Sequence, residues 1–515
     1  MHTIRFPLKT TAYDKQMLEK RFRMLWHIHN QLIKEMQRRL HVLERDRISI
    51  DAKSQYLIYS KKLANMEATI KKKEKPDKEE LKKCAELRKQ KNQYAKILNK
   101  RRIELNVTKA YLESYVQVMQ HRFQKHISSQ QAQKEVNRVW DGVEKILFGD
   151  GKQLHFKKLA DMHSISQKSA TNGIKYKKET DTIHWLGLEI PISINWEDEY
   201  IKESMGHTIK YIEISKEAFS TGWHWYVTFV LDGPAPQKMV AGEGTCGIDA
   251  GVSTMANWSE HEIGLFELAP KCKEYNRKII KEQRCIDVQT RQSNPQNYNP
   301  DGTIRKGKKI WSFSNGCKKR KQKVRALYRK KSAYTKHQHC HDANLLLQGH
   351  KHVLVEEMNY KALQKRAKGK AERQDKVSKI TQKNGVMKEV KKYKKKKRFG
   401  KSLNDRSPAL FLQILKQKCL QYGGSYHELN TKELKASQYD HTTGTYQKQP
   451  LSKRTKEIGR QTVLRDPYSS FLIRCSEKEK PDQDLCSYFY DRFLYMQDCM
   501  ILFSKDEPHP ASFGY

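Results

Sequence analysis

Three acidic residues stand in settings that suit a carboxylate held against a metal ion. Asp249 lies in Cys-Gly-Ile-Asp-Ala-Gly-Val (246–252), Glu356 in Val-Leu-Val-Glu-Glu-Met-Asn (353–359), and Asp466 in Leu-Arg-Asp-Pro-Tyr-Ser-Ser-Phe-Leu-Ile (464–473). The chain around them has a formal net charge of +43, from 101 Lys and Arg against 58 Asp and Glu. A field of that sign gathers polyanions, and nucleic acid is the natural partner. Carboxylates converging inside such a field raise one another's pKa values and repel phosphate unless cations stand between them. Magnesium fits best, because it prefers oxygen ligands, keeps several waters and bridges to phosphate; manganese can substitute. Two such ions can clamp the attacking and leaving oxygens of an in-line phosphodiester displacement. Any one of these acids alone would read as a surface carboxylate; three in such positions favour a nuclease site.

The local sequence says how each acid is carried. Asp249 sits in a strand-like run over 245–257, in which Gly247 and Gly251 let another backbone or a phosphate come close. Glu356 ends an apolar strand over 352–357, where a carboxylate is costly unless it is at an edge or bound. Glu357 follows directly, and strand alternation puts the two on opposite faces, so pattern alone leaves the choice open. Asp466 begins a helical segment whose Leu464, Tyr468, Phe471 and Leu472 make a face to bury.

Stepping outward, residues 1–10 read as a first strand of a β domain and 11–149 as a helical domain. Within the latter, Leu18, Phe22, Leu25, Leu32, Met36 and Leu40 share one helical face. Over 107–127, Tyr111, Tyr115, Met119 and Phe123 recur every fourth residue, a stripe better suited to helix packing than to base stacking. Residues 150–240 carry short β-branched and aromatic runs (183–188, 190–194, 211–214, 223–231), which predict a small β-barrel that the N-terminal strand joins. Strands and helices then alternate over 241–360 and 403–475, predicting an α/β domain. Between these two blocks, 361–402 is a lysine-rich insertion. Its Lys391, Lys392, Lys394, Lys395, Lys396, Lys397 and Arg398 are expected to be mobile alone and to bind phosphate when nucleic acid arrives. Residues 476–515 form a tail with no expected role beyond packing.

Aromatics at 10% and hydrophobics at 37% exclude a wholly disordered chain. No stretch reaches the roughly 18 apolar residues of a membrane span, and the N-terminal residues show no apolar signal core. The ten cysteines include no Cys-x-x-Cys pair. Reduced cytoplasmic thiols, and no membrane partner, are expected.

The order Gly-Ile-Asp-x-Gly-Val, Val-Glu-Glu-Met-Asn, Arg-Asp-x-x-Ser-Ser-Phe-Leu-Ile resembles the three split motifs of a RuvC-like nuclease domain with an RNase H fold. More closely, it resembles the TnpB proteins of insertion-sequence transposons and the related compact type V CRISPR effectors. The likeness covers most of residues 150–475. It implies a multidomain α+β protein with a helical recognition lobe, a wedge-like β-barrel and a C-terminal RuvC-like nuclease domain. It also implies an RNA-guided, magnesium-dependent endonuclease. A structured guide RNA and target double-stranded DNA would be its partners, a short target-adjacent motif would be recognised, and Asp249, Glu356 and Asp466 would be the catalytic metal ligands. Between the two acids at the second motif, the resemblance favours Glu356. Many relatives carry a cysteine-rich zinc ribbon between the second and third motifs. The stretch 437–460 here has no cysteine, so no structural zinc is expected. Two other readings compete: a DNA-only transposase or recombinase of the same fold, and an RNA-guided repressor whose nuclease is silent.

Overall fold

The computed structural model describes the chain except residues 71–76, 150, 171, 220, 365–371, 382–386, 394–398, 451–452, 478 and 504–515, with the backbone alone at 372–381, 388 and 390–393. It is a multidomain α+β protein that divides into two compact units. One comprises Met1–Glu217 and Trp223–Pro236, the other Ala218–Gly222 and Gln237–Tyr515. Among the described residues no helix is long and apolar enough to cross a membrane.

The first unit begins with the strand His2–Pro7 and the helix Ala12–Arg45. Thr11 starts that helix by a reciprocal cap: its Oγ1 accepts from the Asp14 N–H, and the Asp14 carboxylate accepts from the Thr11 N–H at 2.8 Å. The helix buries Leu18, Phe22, Leu25, Leu32 and Met36 along the predicted face. His2–Pro7 pairs antiparallel with Gly222–Leu231, and the sheet continues through Ile209–Phe219 to Ser164–Ser166. A second sheet holds Ile174–Lys177, Thr182–Trp185 and Leu188–Pro191. The run 183–188, expected as one strand, is therefore a hairpin. Leu186 and Gly187 both have positive φ, 43° and 79°, as a tight two-residue β-turn requires. Helices and sheets share one core, in which Phe22 meets Trp225 edge-on at 5.1 Å. On the helix Lys109–Arg122 the fully buried positions are Leu112 and Val116, and Tyr115, Met119 and Phe123 pack beside them, whereas Tyr111 stacks on Tyr115 at 6.1 Å and its hydroxyl donates to Glu35 at 2.7 Å.

The second unit is built on a five-stranded sheet ordered Ile263–Glu267, Thr254–Trp258, Gly244–Ala250, His350–Glu356, Ser425–Leu429. The first three are antiparallel, and the last two run parallel to Gly244–Ala250. The predicted strand over 245–257 is two strands, because the chain reverses at 251–253, where the Gly251 N–H donates to the Thr254 carbonyl at 3.0 Å. Helices Cys272–Ser293 and Asn315–Gly349 connect the antiparallel part to His350–Glu356. Pro408–Gln421 leads on to Ser425–Leu429. One face of the sheet (Cys246, Ile248, Ala250, Val353, Val355) packs on Leu346, Leu347, Phe411 and Leu415. A separate core joins Trp258 and Leu429 to Tyr468, Phe471, Leu472 and Phe493.

Two stretches to which the pattern assigned no element carry one. Within 361–402 the strands Glu372–Thr381 and Met387–Tyr393 pair antiparallel, so Lys391 and Lys392 lie on a hairpin; Val377, Ile380 and Val390 give it β-propensity. Lys394, Lys395, Lys396, Lys397 and Arg398 lie outside the described residues. The expected tail contains the 21-residue helix Gln483–Phe503, whose Phe493 and Gln497 are buried.

Candidate active site

Strand register brings the first two acids together. Val355 pairs with Ile248, which sets Glu356 beside Asp249 one residue further on. Both lie at the C-terminal ends of parallel neighbours, where open α/β sheets bind their ligands. Alternation then assigns the faces: Cys246, Ile248 and Ala250 enter one core, leaving Gly247 and Asp249 on the other face. The same logic separates the two glutamates. Glu356 faces the cavity, whereas Glu357 is exposed and its N–H donates to the Leu429 carbonyl at 2.8 Å.

The third acid arrives on the helix Arg465–Arg474, in its first turn, where the helix dipole favours a carboxylate. Gly247 makes the approach possible. A Cβ there would stand 2.3 Å from the Ser470 carbonyl oxygen and 2.4 Å from the Arg474 nitrogen, so only glycine admits this helix. Phe471 meets Trp258 edge-on at 4.9 Å, locking the helix on the sheet. Its start is tied down from the C-terminal helix, where Gln497 Oε1 accepts from the Leu464 N–H at 2.7 Å.

Asp249, Glu356 and Asp466 thus line one cavity of about 520 Å³. Its wall also carries Thr431, Lys435, Gln438, Lys448, Arg454 and Arg465. The chain places three acids and four cations around one space. The Asp249 carboxyl is pushed well above the ordinary aspartate range, first by burial, then by the carboxylates of Asp466 and Glu356, against the pull of Arg465. Burial alone pushes Glu356 up to about 7 from 4.5. Asp466 is engaged by guanidinium groups: Arg465 Nη2 and Nε donate to its Oδ1 at 2.8 and 3.0 Å, and Arg454 Nη1 stands 3.8 Å from Oδ2.

Among the described residues no three or more of His, Cys, Asp and Glu are gathered closely enough to cage a metal ion. The donor chemistry still suits a hard divalent cation, since all three acids offer oxygen and two of them hold raised pKa values that a cation would relieve. A cation would have to compete with Arg465 and Arg454 for Asp466.

The segment between the second and third acids is held by buried polar groups. It forms the hairpins Tyr439–Asp440 with Thr445–Tyr446 and Thr455–Ile458 with Gln461–Leu464. The Tyr468 hydroxyl meets His441 Nδ1 at 2.7 Å, and Lys456 Nζ donates to the Tyr439 carbonyl at 2.5 Å. Lys456 is 2% exposed, and burial lowers its ammonium to about 8. Sequence reasoning singled out Tyr439 and His441 as lying in a stretch without cysteine, but missed Lys456 and the cavity's Lys435, Lys448 and Arg454. Arg465 alone carried a signal, as the residue beside Asp466 in the Arg-Asp pair.

No family model and no curated protein matches this sequence. Among solved structures, a cryo-EM structure of a Cas12f1–sgRNA–target DNA complex is 11% identical, with 93% of this chain and 98% of that chain covered at a TM-score of 0.44. A cryo-EM structure of a CRISPR-Cas12f ternary complex is also 11% identical, with 94% and 100% covered at a TM-score of 0.28. The aligned spans run nearly the whole chain, at scores that leave the geometries loosely superposed.

Proposed function

We propose that this chain is an RNA-guided DNA endonuclease that hydrolyses phosphodiesters in a single RuvC-like site of RNase H fold. One observation carries the reading: acids from stretches more than a hundred residues apart in sequence line one cavity together with Lys435, Lys448, Arg454 and Arg465. The motif resemblance adds guide RNA and target double-stranded DNA as partners. The sheet, with an antiparallel meander running into parallel crossovers, is consistent with the fold the resemblance implies.

The residues divide the work by charge. Lys435, Lys448 and Arg454 draw a phosphodiester toward the carboxylates and hold its non-bridging oxygens. Glu356, with its carboxyl near 7, holds a proton on its carboxylate for part of the time at neutral pH and releases it as a cation or higher pH demands. Asp249, Glu356 and Asp466 would hold two magnesium ions, or manganese, which when bound supply positive charge at the scissile phosphate and acidify an attacking water.

The test is to express the chain with its native flanking DNA, purify it through high salt and sequence the RNA that stays bound. One abundant species with a fixed structured part and a variable end is expected. It should direct magnesium-dependent cleavage of matching DNA, and Asp249→Ala should keep the RNA and lose the cleavage. Heterogeneous RNA, or none, would move the reading to a DNA-only nuclease or transposase. Target silencing that survives Asp249→Ala, with no cleavage by the parent protein, would identify a repressor.

A further inference from the structure

We propose that Arg465 is a positioning residue that holds Asp466 out of divalent-cation coordination, so that a cation site is completed only when its guanidinium is drawn to another anion. The inference rests on the reading of the cavity as a cation-dependent phosphodiester site. Two N–H groups of Arg465 converge on Oδ1 of Asp466, at 2.8 and 3.0 Å, and Arg454 faces Oδ2 at 3.8 Å. Both oxygens that a cation would need therefore look at guanidinium groups. The three acids line one cavity, and among the described residues they are not gathered into a cage.

Two further contacts show what the latch is fastened to. Arg465 Nη1 donates to the Lys453 carbonyl at 3.1 Å, and the Arg465 N–H donates to the Arg454 carbonyl at 2.8 Å. One residue thus links the segment between the second and third acids to the third acid itself. A guanidinium fits phosphate as well as carboxylate, with the same two-pronged geometry. A phosphodiester entering the cavity that Lys435 and Lys448 line can take the guanidinium in exchange for Asp466. Asp466 is then left with an open oxygen in the cavity that holds Asp249 and Glu356.

The experiment is a manganese titration of the full-length protein, read by loss of the free-ion EPR signal, for wild type, Arg465→Gln, Arg465→Lys and Asp249→Ala. Arg465→Gln should bind Mn²⁺ roughly two- to tenfold more tightly than wild type, the range expected from removing one close cation. Arg465→Lys, which keeps the charge but loses the fork, should fall between them and guards against a glutamine variant that folds poorly. A purely structural arginine would lower Tm without tightening Mn²⁺. Equal or weaker binding by both Arg465 variants, with Asp249-dependent binding in wild type, overturns the latch and leaves the site standing. No Asp249-dependent binding in any variant sinks the cation site and the latch together.

Discussion

At the scale of single residues, the acids are held at an electrostatic cost. Glu356 keeps its proton in the folded protein up to about pH 7, whereas the unfolded chain releases it near 4.5. The folded state therefore binds more protons across that window, and the metal-free protein loses stability as pH rises through it. Glu356→Gln and Asp249→Asn remove the charge, so each should raise stability in EDTA at pH 8, the former by roughly 1–3 kcal/mol. The same substitutions should reduce magnesium-dependent cleavage to background. Chemical denaturation at pH 5 and pH 8 checks the sign, because the gain should shrink at the lower pH. Divalent-cation affinity, in turn, should rise with pH through about 7, because the cation must displace the Glu356 proton.

At the scale of elements, the helix Arg465–Arg474 decides whether there is a site at all. It lies within contact of the strand Gly244–Ala250 because Gly247 has no side chain. Gly247→Ala should push the helix away and destabilise the protein by about 1–3 kcal/mol, the usual cost of overpacking. Cleavage should fall further than that loss of stability explains, because Asp466 moves with the helix; comparing Tm with cleavage rate separates the two effects. Tyr468→Phe tests the other side of the same helix. It would leave His441 Nδ1 buried without its 2.7 Å partner, at about 1–3 kcal/mol by thermal or urea unfolding. The C-terminal helix Gln483–Phe503, which by sequence was packing alone, belongs to this assembly through Gln497 and Phe493.

At the scale of the whole molecule, the +43 charge sets the terms on which any polyanion binds. Affinity for guide RNA should fall steeply with salt, on the order of 10³-fold between about 50 and 200 mM if six or more phosphates are neutralised. A filter-binding series across that range, plotted as log affinity against log salt, counts those contacts from its slope. A shallow slope would mean that most of the Lys and Arg serve solubility alone.

Much of this was legible in the sequence because it depends on short-range pattern. The apolar run ending at Glu356, the small residues around Asp249 and the helical face behind Asp466 are periodicities of two or four residues, which the backbone imposes locally. The breaks at Leu186–Gly187 and at 251–253 were missed, since a turn inside an apolar run leaves hydrophobicity unchanged and is marked by little more than one glycine. What only the tertiary structure decided is convergence. Strand register put Glu356, already favoured by the resemblance, beside Asp249 with Glu357 outside the cavity; the placing of Lys435, Lys448 and Arg454 brought cations to it, and its neighbour's guanidinium restrained Asp466. Those outcomes follow from packing between segments a hundred residues apart, where a missing Cβ at Gly247 matters as much as any charge.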